Sequence, residues 1–313
     1  MLFLNGCGRT AVLAGLAAVL LILSCGSYDD PNAIIGGRKE MLLEDGSDPT
    51  WSPNGGSIVF TRLGHLFLME YPGGRAEALT SISGEMVSAD FKPVSGANEL
   101  VFIHKPSGGE QALIILDINA FTIAEVYRDT VELADACFSV DGQWIIFRSE
   151  SQTGIYRVKP VPGGQPELIF NPLLWGEVAF HQASPFNETV LYVESRIQDD
   201  LSAANLYRIE IGGYVQPIRL TGVTGEEEPT WEFGAVAESY DGAWVAVAGS
   251  FGREDLKRTL WLMPSETVDG LPGDMKQLTE VSDGEVGSFA WSPDNQRLVV
   301  DLDGDLWIIE PDM

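Results

Sequence analysis

A short strand-like segment recurs six times along the chain, and its spacing limits the folds that the chain can adopt. The six copies are Leu66–Met69, Leu113–Leu116, Ile155–Val158, Leu206–Ile209, Leu260–Met263 and Leu306–Ile309. Successive copies are 47, 42, 51, 54 and 46 residues apart. Four antiparallel strands with their turns need about 40–50 residues, and one such sheet cannot bury both of its faces. The period therefore predicts an all-β, six-bladed β-propeller.

Each repeat has the same internal order. It opens with an aromatic residue and a turn, as in Trp51-Ser52-Pro53-Asn54-Gly55, where Pro, Asn and Gly favour turn dihedral angles. An apolar strand, the recurrent strand and a short outer strand ending in Leu-Thr follow. The turn returns at Phe138–Gly142, Ala183–Asn187 and Trp291–Asn295, and the Leu-Thr pair at Leu79–Thr80, Leu220–Thr221 and Leu278–Thr279.

The two ends of this repeat region complement each other. The sixth repeat ends at Met313, just after its third strand, and so lacks an outer strand. An apolar stretch at Glu40–Glu44 precedes the first aromatic segment. If it pairs with the last blade, the ring closes without an exposed sheet edge. We therefore expect residues 38–313 to form one propeller that is closed by an N-terminal strand.

The repeat resembles a known family. Trp-Ser-Pro-Asp-Gly, an apolar strand, Leu-Tyr-x-hydrophobic and Leu-Thr together look like the WD40-like (PD40) repeat of TolB propellers, over about residues 38–313. The resemblance implies a six-bladed propeller that faces the periplasm and serves as a protein-binding scaffold for envelope proteins. The chain departs from TolB because it lacks the separate N-terminal α/β domain.

The N-terminal segment is typical of an export signal. Arg9 precedes the apolar run Ala11–Leu23, which is short for a transmembrane helix. The following Ser24-Cys25 resembles a bacterial lipobox, which implies a signal peptide over 1–24, a lipid on Cys25 and a tether over 25–37. An ordinary cleaved signal and an uncleaved anchor remain alternatives. The lipobox implies a lipid-anchored protein of the bacterial cell envelope that faces the periplasm or the exterior.

Charge narrows the partners. The chain has 46 acidic and 19 basic residues and a net charge of -27, which opposes binding to nucleic acid and to anionic lipid headgroups. The TolB resemblance implies envelope proteins as partners, and the lipobox resemblance implies membrane contact through the lipid on Cys25. A solvated acidic surface that keeps the protein soluble is the alternative reading of this charge.

Sequence motifs for catalysis are missing. The chain has no Gly-x-Ser-x-Gly elbow, no Gly-Lys-Ser/Thr phosphate loop and no His-Glu-x-x-His. Its histidines, His65, His104 and His181, fall at different points of different repeats, which argues against a shared metal site. We predict a non-enzymatic protein without a cofactor. The competing function is a propeller that binds or processes a small molecule or glycan fragment in its channel.

Three acidic residues stand at a common position of the repeat. Asp48, Asp135 and Glu228 lie three residues before the aromatic residues of blades one, three and five, while Ser88 and Ser288 hold that position in blades two and six. Because innermost strands line the channel, these carboxylates are candidates for a binding site at its mouth. The ligand would be a metal cation, or a Lys or Arg of a partner. Alternatively, each acid caps its own loop.

Two further features have simpler interpretations. Asp301-x-Asp303-Gly304-Asp305 resembles a calcium loop, but its Asp-Gly between apolar runs favours a hairpin. In the fifth repeat, Glu232–Ser239 separates Trp231 from the next turn, and we expect an insertion on the propeller rim there.

Overall fold

A computed structural model describes residues 37–149, 154–171, 178–195, 204–211, 217–222, 231–251, 257–271 and 274–313. The strands form six four-stranded antiparallel sheets, which are the blades of a propeller. The predicted fold class is therefore confirmed. The predicted signal peptide and Cys25 lie outside the described residues, as does nearly all of the tether.

The first and second strands of the blades lie nearest the channel. The innermost strands are β2 (Ser47–Trp51), β6 (Glu85–Phe91), β10 (Leu133–Phe138), β14 (Val178–Ala183), β18 (Trp231–Glu238) and β22 (Val286–Trp291). The second strands are β3 (Ser57–Arg62), β7 (Glu99–Lys105), β11 (Ile145–Ser149), β15 (Val190–Ser195), β19 (Trp244–Phe251) and β23 (Leu298–Leu302).

The third strands carry the recurrent segment, and the outer strands cover them. The third strands are β4 (His65–Glu70), β8 (Gln111–Asp117), β12 (Gly154–Val158), β16 (Asn205–Glu210), β20 (Thr259–Pro264) and β24 (Asp305–Glu310). The outer strands are β5 (Glu77–Ala78), β9 (Thr122–Asp129), β13 (Glu167–Phe170), β17 (Ile218–Arg219), β21 (Lys276–Gln277) and, for blade six, β1 (Arg38–Leu43). One short 3-10 helix, Val281–Asp283, lies between β21 and β22.

The hydrophobic core lies between neighbouring blades. Leu260 on β20 belongs to a buried cluster with Trp291 and Leu298 of the next blade. Leu306 on β24 is likewise buried in a cluster with Trp51 and Phe60 of blade one. Each blade therefore removes apolar surface of its neighbour from water, which explains why the leucine at the second position of the third strand recurs.

The Ser-x-Asp segments are turns, as expected. In blade three, the Ser139 hydroxyl donates to Asp141 Oδ1 at 2.6 Å and accepts the Trp144 N–H at 3.0 Å. The same pair of bonds occurs at Ser239 and at Ser292. These side chains satisfy backbone groups between the first and second strands, which is the usual role of Ser and Asp in turns.

The threonine of the Leu-Thr pair has a similar structural role. The side-chain oxygen of Thr80, Thr221 or Thr279 accepts the N–H of the leucine at the second position of the third strand. The N···O distances are 3.0, 2.9 and 2.8 Å, to Leu66, Leu206 and Leu260. The outer strands of these blades are only two residues long, so the threonine extends the hydrogen bonding by one position.

The ring is closed by the N-terminal strand, as predicted. β1 pairs antiparallel with β24, from Arg38 opposite Glu310 to Leu43 opposite Leu306. Gly37 passes so close to the backbone of Glu310 that a Cβ atom there would lie 1.9 Å from the Glu310 carbonyl oxygen. The first and last strands of the propeller thus share one blade.

Strand direction gives the propeller two faces. We call the face at which β1 begins the entry face; it also carries the turns from first to second strand and from third to outer strand. The opposite, far face carries the turns from second to third strand and the links between blades. The hairpin at Asp303-Gly304 is one of the far-face turns, with φ of 52° and 89°, and it confirms the hairpin interpretation of this acidic segment.

One expectation for the fifth blade is wrong. Trp231–Glu238 is the innermost strand β18 itself, paired with β19 along its length, and not an insertion on the rim. The Pro-Thr-Trp match to blade one suggested that Trp231 ends this strand, whereas Trp231 begins it.

We predict that Thr279→Val destabilises the fold by about 1–3 kcal/mol, because it leaves the buried N–H of Leu260 without an acceptor. Urea unfolding of the purified protein would measure the loss. Thr279→Ser keeps the hydroxyl and should recover most of the stability. Equal losses in the two variants would contradict this role.

Candidate binding cavity in the central channel

The innermost strands are all interrupted by a register shift at a similar height. The shifts fall between Ser47 and Thr50 in β2 and at the corresponding positions of the other five innermost strands. In three blades the backbone there is left-handed, with φ of 46° at Asp48, 53° at Ser88 and 55° at Asp135. This conformation is unfavourable for residues other than glycine, and such bulges redirect side chains.

A cavity of about 340 Å³ lies in the channel at this height. Two rings of residues line it. The first ring is Asp48, Ser88, Asp135, Ala235 and Ser288, and the second is Thr50, Asp90, Cys137, Gln182, Ala237 and Ala290. The sixth position of the first ring falls at Phe180, whose side chain is outside the description. Asp301 of β23 also reaches the cavity.

Two of the three predicted carboxylates, Asp48 and Asp135, line this cavity together. Ser88 and Ser288 also lie where the sequence placed them. Glu228 lies outside the described residues. The turn at Ser239 follows directly after Glu238, so Glu238 corresponds to the last residue of the other innermost strands. Ala235 lies three residues earlier and therefore holds in blade five the position that Asp48 holds in blade one.

The Asp48 backbone is fixed across the junction of blades one and six. Its N–H donates to Ser288 Oγ at 3.0 Å. Burial raises the pKa of the Asp48 carboxyl, and the negative charge of Asp135 raises it further, against the lowering effects of the Ser288 hydroxyl and of Lys105. A cation that approaches Asp48 would offset the effect of this burial.

Asp135 is paired with a cation of its own blade. Arg148 on β11 places Nε 3.2 Å from Asp135 Oδ2, and both side chains are partly exposed.

A further cavity carboxyl, Asp90, was missed by the sequence analysis. Asp90 Oδ2 accepts the Phe138 N–H at 2.8 Å and so links blade two to blade three. Gln182 makes the equivalent bond from blade four, with Oε1 accepting the Glu238 N–H at 2.9 Å. Burial raises the pKa of Asp90 to about 7, although its backbone hydrogen bonds act to lower it.

Asp301 was read in the sequence only as part of a turn. It reaches the cavity beside Gly287, where a Cβ atom would lie 2.6 Å from Asp301 Oδ2. Its Oδ1 accepts the Gly304 N–H at 2.8 Å. Burial raises the pKa of Asp301 to about 6, and the nearby charge of Asp48 adds to the shift.

The arrangement favours a cationic group over a coordinated metal. Among the described residues, no three His, Cys, Asp or Glu side chains are grouped closely enough to hold a metal ion. His65 and His104 are not part of the cavity lining, and the side chain of His181 is outside the description. Cys137 lines the cavity, and burial strongly raises the pKa of its thiol, so the thiolate form is suppressed.

Comparison with solved structures shows the fold. TolB from Acinetobacter baumannii superposes with a TM-score of 0.60 at 20% identity, over 80% of this chain and 57% of that one. A putative TolB from Agrobacterium tumefaciens gives 0.58 at 17% identity, over 86% and 89%. The chain has the TolB propeller fold. It spans little more than half of the Acinetobacter protein.

An enzyme shares the architecture as well. An oligogalacturonate lyase solved in complex with manganese superposes with a TM-score of 0.56 at 12% identity, over 84% of this chain and 76% of that one. No family model and no curated protein sequence matches the chain. At these identities the likeness establishes architecture and leaves function to the residues of the cavity.

We predict that Asp90→Asn stabilises the protein more at pH 8 than at pH 5. The unfolded chain ionises Asp90 near pH 4 and the native protein only near pH 7, so the native state binds more protons between these values and loses stability as the pH rises. Asparagine removes this cost and can still accept the Phe138 N–H, as Gln182 does for Glu238.

Thermal unfolding at the two pH values would measure the effect. The gain in Tm over the unmodified protein should be larger by roughly 2–5 °C at pH 8. Asp312→Asn, an exposed change near the end of the chain, is the matched control and should show no such difference. A gain for Asp90→Asn that is the same at both pH values would contradict the prediction.

Proposed function

We propose that the protein is a membrane-tethered scaffold of the bacterial cell envelope, whose propeller binds another envelope protein. The lipobox-like Ser24-Cys25 supports the tether, and the fold shared with TolB proteins supports a role for the propeller in the envelope. Within the described residues, no helix is long and apolar enough to cross a membrane. In this proposal the lipid on Cys25 supplies the membrane attachment.

We base the proposed mode of partner recognition on the carboxyl groups of the cavity. Asp48, Asp90, Asp135 and Asp301 line one space of about 340 Å³, and burial raises the pKa of three of them: Asp48, Asp90 and Asp301. A lysine or arginine side chain that enters would replace the solvation these carboxyls have lost. We propose that a basic residue of the partner is inserted into the channel.

The small-molecule alternative is less well supported. The manganese-bound lyase shares the fold, but the described part of this chain brings no three potential metal ligands together. No catalytic residue is proposed, and neither is a cofactor; a cation in the channel remains compatible with its carboxylates.

We predict that Cys25→Ala moves the protein from the membrane fraction to the soluble fraction of exported proteins, because the variant has no thiol for lipid attachment. Fractionation of intact bacteria, with detection of the propeller, would check this. Metabolic labelling with a fatty acid should mark the unmodified chain and leave the variant unlabelled. The lipid anchor would be refuted if the unmodified protein took up no fatty acid label and were membrane-bound to the same extent as Cys25→Ala.

We predict that the triple variant Asp48→Asn, Asp135→Asn and Asp301→Asn loses at least tenfold in crosslinking to its envelope partner in intact cells, because the basic group loses its counter-charges. The matched control neutralises three exposed acids away from the channel, Glu77→Gln, Glu188→Gln and Asp312→Asn. Loss in both variants would point to overall charge, and loss in neither would remove the channel from partner binding.

A further inference from the structure

The point at which the chain enters the propeller restricts how a tethered propeller can face a membrane. β1 begins at Arg38, opposite the end of β24, so the segment that leads from Cys25 joins the entry face. That segment, residues 26–37, has a relaxed length of about 20 Å and a maximum of about 40 Å. A six-residue strand alone spans about 20 Å. Turning the far face to the bilayer would use up much of the tether's reach.

The entry face also presents apolar side chains to solvent. Phe121 is 70% exposed and Phe186 is 60% exposed at the tips of entry-face turns. The full set of described large apolar side chains exposed in these turns is Val94, Phe121, Val161, Phe186, Val268 and Leu271. They come from blades two, three, four and five, which spreads them around the face.

Some of these side chains are held in place by the next blade. The ring of Phe186 lies over Gly242 of blade five, where a Cβ atom would be 2.6 Å from the ring. Val94 lies over Gly142 of blade three in the same way, at 2.9 Å. Exposed apolar groups that are held rigidly lose little conformational freedom when another surface covers them.

We infer that the entry face rests on the lipid surface to which the chain is tethered, with the Phe121 and Phe186 turns at the headgroup boundary. This inference rests on the lipid anchor proposed above. The net charge of -27 means that anionic headgroups would repel the protein. The lipid surface that fits this face is therefore a bilayer of zwitterionic lipids.

The same orientation leaves the carboxylates of the cavity accessible from the far face. Asp48 and Asp135 lie in the first half of strands that begin at the far face, and Asp301 lies near the far-face end of β23. A partner would therefore approach the channel from the side away from the membrane.

Depth-dependent fluorescence quenching tests the inference. The lipidated full-length protein is reconstituted into phosphatidylcholine vesicles after labelling at a single introduced cysteine, Phe121→Cys, Phe186→Cys or, as the far-face control, Leu63→Cys. Leu63 lies in the turn between β3 and β4 and is 91% exposed. All three proteins also carry Cys137→Ala, because the Cys137 thiol is only partly buried and lines the cavity.

Lipids brominated along the acyl chain should quench the two entry-face probes at least twofold more than the Leu63→Cys probe. Equal quenching at all three positions, or stronger quenching at Leu63→Cys, would overturn the orientation. The orientation would also be overturned if the entry-face probes were shielded from water but not quenched by the brominated lipids. That result would indicate that a second copy of the protein covers this face. The two entry-face positions lie in separate blades, so one poorly folded variant does not remove the test.

Vesicle flotation separates this inference from the proposed function. Protein that floats with the vesicles but shows no preferential quenching keeps its anchor and loses only the orientation. Protein that fails to float refutes the anchor, and the orientation is refuted with it.

Discussion

The structure depends on one constraint: each four-stranded sheet is apolar on both faces and must be covered on both. Leu260 and Leu306, each the second residue of a third strand, are fully buried only because the next blade packs over them. A single blade would expose these side chains, and an open row of blades would expose two ends. The pairing of β1 with β24 removes both ends at once, so the stability of every blade is linked to that closure.

The channel is where this architecture departs from regular strand geometry. In each blade the innermost strand carries a register shift, and three of the shifted residues, Asp48, Ser88 and Asp135, have left-handed backbones, which are uncommon for residues other than Gly, Asn and Asp. Strained backbone and poorly solvated carboxyls at Asp48 and Asp90 both cost stability. Their concentration around one cavity is the pattern expected of a binding site, where such costs are offset by a ligand.

Much of the fold could be predicted because the repeat is itself a packing requirement. Leu306 had no outer strand after it, which pointed to closure by the segment near Met41. The cavity was predicted only partly. Asp90 was missed because no other blade has an acid at its position, so no pattern across the repeats marked it, and Asp301 because it comes from a second strand. In blade five, the Pro-Thr-Trp match to blade one predicted the wrong register for the innermost strand. The turn at Ser239, which matches the turns of blades three and six, marks the correct register.

The closure between β1 and β24 also has a mechanical consequence. In a tethered protein, any pull on the ring is transmitted through Gly37 to the start of β1, in line with the strand. The interstrand hydrogen bonds, which run across that direction, are then loaded together in shear, whereas a pull from the side would break them one after another. Strand β1, which completes the last blade, would thus also transmit force between the membrane and a bound partner.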